Sequence, residues 1–105
     1  MNFSIVWSEF AESQLDEIYD YYCGEVGKEF AAKFVKGIIN EPNKLLTTPF
    51  IGQEEELLKG RKIQYRYLVY KNYKLIYSVD LDNGLIRIAD VFDTRQNPPK
   101  IRRNK

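Results

Sequence analysis

Histidine is absent from this 105-residue chain, and cysteine occurs once, at Cys23. Without an imidazole, a histidine-based triad or a histidine general base is excluded. A zinc site loses its usual ligands, so no metal is expected. One cysteine excludes an internal disulfide and fits a reducing cytoplasm. No apolar run approaches membrane-spanning length, so no membrane partner is expected. The start, MNFSIVW, has no basic region followed by a long apolar one, and a secretory leader is not expected either. Repeats and low-complexity tracts are also missing, and nothing points to a bound cofactor.

What is present suits a small soluble domain. At 44% hydrophobic and 30% charged, the composition is that of a folded globule. The length suits one domain over residues 1–105. The net charge of +1 hides an asymmetry. Residues 1–56 set four lysines against eleven acids, a net of −7, while residues 57–105 set twelve bases against four acids, a net of +8. Such a split points to a basic half that meets an anionic partner, or to two halves that neutralise each other in the fold.

The pattern along the chain gives the elements. Phe3–Val6 is short and β-branched and predicts a strand. Ser8 then stands as an N-cap, with Glu9 and Glu12 in the favoured first turn. Ala11, Leu15, Ile18, Tyr19 and Tyr22 follow helical spacing on one face. Gly24 and Gly27 bracket a break, and a second helix from about Lys28 runs until Pro42 ends it. Three strands follow, Arg61–Tyr70, Tyr73–Asp80 and Leu85–Phe92. Lys71-Asn72 separates the first two, and Asn83-Gly84 is a strong hairpin signal between the last two. After Asn97 a basic, mobile tail is expected over 98–105. The order β-α-α-β-β-β predicts an α+β domain, with a helical hairpin packed on one face of a mostly antiparallel sheet.

Two-residue turns would fix the registers. Lys71-Asn72 pairs Leu68 with Leu75 and Arg66 with Tyr77. Asn83-Gly84 pairs Tyr77 with Asp90, Leu75 with Phe92 and Lys74 with Asp93. Leu68, Leu75, Phe92, Val79, Ile88, Tyr70, Tyr73 and Tyr77 then face the helices. Tyr65, Tyr67, Lys74, Ile76, Ser78, Arg87 and Asp93 share an open face. Arg66 and Asp90 flank Tyr77 and are expected to form a structural ion pair. The stretch YRYLVYKNYKLIY, five tyrosines among three cations, is thereby divided. Three rings go to the core, and two rings with Lys74 remain for a ligand.

Several segments together carry a family resemblance. They are Trp7-Ser8 entering a helix with Ala11, Leu15, Ile18 and Tyr22; Leu45, Pro49 and Gly52; Tyr73-Lys74-Leu75-Ile76-Tyr77; and Asp90 through Pro98. In this order the chain resembles the RelE/ParE superfamily of bacterial, plasmid-stabilisation-type toxins over nearly its whole length. The resemblance implies the toxin of a type II toxin–antitoxin pair, cytoplasmic, growth-inhibiting and neutralised by a cognate antitoxin encoded beside it. It implies a target that is either the ribosome with its mRNA or DNA gyrase. In the RelE branch, ribosome-dependent mRNA endonucleases, an arginine usually stands where this chain has Lys74. Another lies near the position of Asn97, and a tyrosine or histidine stands close to the C-terminus. Lys74 keeps the charge but loses the bidentate fork, Asn97 is uncharged, and no tyrosine follows Tyr77. The incomplete set points to the ParE-like, gyrase-poisoning side or to a catalytically atypical member. A degenerate antitoxin-binding domain is a third reading.

Metal-free RNA cleavage needs a base, an acid and positive charge on the phosphate. Lys74 and Arg95 are the candidate catalytic cations. Tyr65, Tyr67, Arg87 and Asp93 are the candidate target-binding residues. Asp93 offers itself as a base, yet the register sets it opposite Lys74 as a cross-strand ion pair. Arg102, Arg103 and Lys105 offer further phosphate contacts or a solvated end.

Overall fold

Ser8 begins the first helix in the way its spacing predicts. In the computed structural model, which describes residues 2–103, its Oγ accepts from the Ala11 amide at 3.0 Å and donates to the Ala89 carbonyl at 3.2 Å. One hydroxyl thus caps a helix and ties it to a strand. The elements are β1 (Ser4–Trp7), α1 (Glu9–Glu25), α2 (Lys28–Asn40), β2 (Gln53–Glu54), β3 (Arg66–Tyr70), β4 (Tyr73–Asp80) and β5 (Leu85–Asp93). 3-10 helices occupy Glu41–Leu46, Glu56–Leu58 and Pro98–Arg102. Gly24 lies inside α1, and the break falls at Gly27, whose φ of 139° is open to glycine and strained for other residues. Pro42 stands in the first turn of the 3-10 helix that follows α2, where its missing amide costs nothing.

The expected α+β architecture is present. The sheet runs β1-β5-β4-β3-β2, with β1 parallel to β5 and the remaining pairs antiparallel. The two-residue β2 is an addition to the expected order. Ala11, Leu15 and Ile18 of α1 and Ile38 of α2 pack on Leu68, Tyr73, Leu75, Tyr77, Ile86, Ile88 and Val91. Burying each such large apolar side chain contributes about 1.5–3 kcal/mol. Phe30 and Ile39 of α2 stay exposed at its margin.

The β3–β4 register is the expected one, Arg66 opposite Tyr77 and Leu68 opposite Leu75. Lys71 takes a left-handed φ of 55° in the turn. The β4–β5 register differs. Asp80, not Asp82, stands opposite Leu85, so Leu81 to Gly84 form a four-residue link. The Asp80 carboxylate accepts from the Asn83 backbone and side-chain amides at 3.1 and 2.9 Å, which closes this wider loop. That shift of two residues leaves the faces unchanged.

A bulge changes them. Tyr77 pairs with Ile88, but Ile76 pairs with Asp90, leaving Ala89 extra on β5. Beyond it every β5 side chain changes face. Phe92, expected under the helices, lies on the far face with Ile76, Leu58 and Ile101. Asp93 stands opposite Tyr73 rather than Lys74. The tail is corrected as well: Pro98–Arg102 is a packed 3-10 helix whose Ile101 is fully buried. Asn104 and Lys105 lie outside the described residues.

Candidate functional site

The centre of the far face is built on β3 and β4. Alternation points Tyr67 and Lys74 away from the helices, and both lean toward the segment 53–58. Lys74 Nζ sits 4.2 Å from the centroid of the Tyr67 ring and 2.7 Å from Glu55 Oε1. The Tyr67 hydroxyl donates to Gln53 Oε1 at 3.0 Å. The Glu55 side chain is 3% exposed and that of Lys74 24%. The second Glu55 oxygen accepts from the Leu57 amide at 3.1 Å, so the carboxylate also caps the 3-10 helix Glu56–Leu58. A carboxylate removed from water keeps its charge only when paired and hydrogen-bonded. Glu55 is both. Lys74 is therefore a compensated cation, and the expected Lys74–Asp93 pair is replaced by Lys74–Glu55.

The C-terminal segment covers the rest of this face. Ile101 fills a small core with Leu58, Ile76 and Phe92, against which Tyr65 and Tyr67 are half-buried. Arg102 Nε donates to the Leu57 carbonyl at 3.1 Å. Arg103 lies against the rings of Phe10 and Phe92, at 5.2 and 5.3 Å, and pairs with the fully buried Asp90 at 3.2 Å. It also reaches Gln14 of α1 at 3.0 Å. The face expected to be open is thus capped by 3-10 segments and carries two compensated pairs.

The other candidate residues are elsewhere. Arg87 pairs with Asp80 at 3.0 Å, at the β4–β5 loop. Asp93 and Arg95 form a pair at 2.8 Å beside Asn72, on the helix side next to Tyr73. The Arg95 guanidinium, with help from Asn72, holds the Asp93 carboxyl below the usual carboxylate range. Burial pushes Tyr73 up to about 12. Lys74 and Arg95, the two catalytic candidates, therefore end on opposite sides of the sheet.

The expected Arg66–Asp90 pair is not formed, because the bulge turns Asp90 to the far face. Asp90 meets Arg103 instead. Arg66 Nη1 donates to the carbonyls of Gly52 and Phe50 at 2.8 and 3.3 Å, and its guanidinium lies 5.3 Å from the Phe50 ring. The buried Tyr77 hydroxyl donates to Pro49 and accepts from the Gly52 amide, at 2.8 and 2.9 Å. A Cβ on Gly52 would stand 2.5 Å from that hydroxyl and 2.7 Å from the Tyr67 carbonyl, which is why glycine occupies the loop. Sequence reasoning missed Glu55, which entered only in the charge count of the acidic half. The signal was the following Leu57-Leu58, which requires the segment to lie down on the sheet.

This arrangement is a compact two-helix hairpin on a mixed sheet, with a capped far face. A family model described as the ParE toxin of the type II toxin–antitoxin system, parDE, matches residues 5–98. The chain belongs to the ParE toxin family. Among solved structures it is similar to the chromosomal ParDE TA system from P. aeruginosa, with a TM-score of 0.71 at 24% identity. That match covers 87% of this chain and 95% of the other, and it is a likeness of fold. The YoeB dimer from Staphylococcus aureus aligns over the same shares at 22% identity with a TM-score of 0.42. No curated protein sequence matches the chain. Among the described residues of this ParE-family chain, no helix is long and apolar enough to cross a membrane.

Proposed function

We propose that this ParE-family toxin inhibits bacterial growth by binding its target, DNA gyrase, and not by cutting RNA, and that a cognate antitoxin silences it. The supporting observation is the state of Lys74. A phosphate-binding cation of a ribonuclease must be free to meet developing negative charge. Lys74 already faces the buried Glu55 at 2.7 Å. A phosphate placed there would compete with a carboxylate that has no solvent to return to. Arg95, the second candidate cation, lies on the other side of the sheet and is paired with its near neighbour Asp93. The chain also has no histidine to act as acid or base.

Purified protein added to a gyrase supercoiling assay, beside a translation assay, tests this. Supercoiling falls and message stays intact if the reading is right. Cuts in message positioned at the ribosomal A site would replace it with the nuclease reading.

A further inference from the structure

The loop Pro49–Gly52 is held by four hydrogen bonds, one donated and one accepted by the Tyr77 hydroxyl and two donated by Arg66. So firm an anchor usually buries what it holds. Here it does the reverse: Phe50 and Ile51 are 46% and 58% exposed. Phe50 forms one wall of a groove of about 460 Å³. Ile63 and Leu81, each 50% exposed, stand on its other sides. Apolar side chains fixed in an exposed position bind without a further ordering cost.

The groove also has an unused charge. Arg66 is half-buried and has no carboxylate partner among the described residues. Its Nη1 is taken by carbonyls, and among the described residues its Nε is buried with no acceptor and its Nη2 has no hydrogen-bond partner. A half-buried guanidinium left in this state is costly unless an anion completes it. Lys62 on the rim has no ion pair among the described residues, whereas Arg87 is held by Asp80. With Asp82 also on the rim, the lining carries three cations and two acids. That balance suits one carboxylate set among apolar side chains, not a run of phosphates.

We infer that this groove docks an antitoxin segment in which an acidic side chain completes Arg66 and neighbouring apolar side chains meet Phe50, Ile63 and Leu81. The inference rests on the antitoxin reading above. The probe is the small protein encoded by the adjacent gene, tagged, purified and titrated into the wild-type chain and into Phe50→Ser, Ile63→Asp and Lys62→Glu. All three positions are solvent-exposed, and cooperative unfolding of each variant is checked first. Each variant binds about tenfold more weakly or worse and, when induced alone, inhibits growth as the wild type does. Affinities within twofold of wild type in all three would overturn the groove while leaving the antitoxin reading intact. Normal antitoxin binding with lost toxicity would also overturn it and give the surface to the target. A wild-type chain that does not bind the neighbouring gene product would overturn both.

Discussion

On the helix side of the sheet, the buried polar groups are hydroxyls: Tyr77 bonds Pro49 and Gly52, and Tyr73 packs edge-on to Phe34. On the far side, beside the Ser78 hydroxyl, two are charges: Glu55 holds Lys74, and Asp90 holds Arg103. The carboxylates and hydroxyls on both sides are buried, but the two sides tolerate change differently. A hydroxyl that loses its partner costs one hydrogen bond. A buried carboxylate that loses its cation must protonate or draw in water. The far side therefore behaves as a set of pairs, each to be kept or replaced whole. Its lysine reads as a structural partner as much as a surface charge.

The sharpest way to break this comparison is to take one member of a pair. Lys74→Ala leaves Glu55 buried with only the Leu57 amide, and about 3–5 kcal/mol of stability is lost in denaturant unfolding. Replacing both members, Glu55→Leu with Lys74→Met, returns stability close to wild type. A single variant as stable as wild type would show that Glu55 finds water easily. On the helix side the largest effect is steric. Gly52→Ala drives a Cβ into the Tyr67 carbonyl and the Tyr77 hydroxyl and costs about 3 kcal/mol, the upper end for overpacking. Gly37→Ala meets the hydroxyl end of the Tyr70 ring, a side chain with no backbone behind it, and its melting temperature falls less than that of Gly52→Ala.

Tyr77→Phe removes two hydrogen bonds and strands the Gly52 amide, a loss of about 1–2 kcal/mol by the same unfolding measurement. The smallest effect is a slope. Burial raises Tyr73 from 10.0 to about 12, so its neutral form is favoured in the folded state. Its contribution is complete below pH 10 and is lost as pH rises toward 12. Tyr77 is raised by burial too, so the difference between wild type and Tyr73→Phe isolates the one ring. That difference narrows from pH 10 to 12 if burial is the cause and stays flat if Tyr73 ionises freely.

The helix side was largely legible in the sequence, because period alone specifies it. Ala11, Leu15 and Ile18 repeat with the helix, and Leu68, Leu75 and Tyr77 alternate with the strand. The far side was not, for two reasons. A single extra residue, Ala89, reverses every later side chain of β5, and no local signal at Ala89 marks it as a bulge. The pairing of Glu55 with Lys74 joins positions nineteen apart through a two-residue strand too short to show a period. Periodicity supplied the chain order and the resemblance the toxin class, but the chemistry of RNA cleavage set Lys74 and Arg95 together as candidates. The bulge puts them on opposite sides.

Growth inhibition by the Glu55→Leu/Lys74→Met chain, checked for cooperative unfolding beforehand, tests the structural role of Lys74 most directly. A folded double variant that inhibits growth as strongly as wild type is the outcome this structure leads to. A folded double variant that is harmless would contradict it and return Lys74 to the functional site.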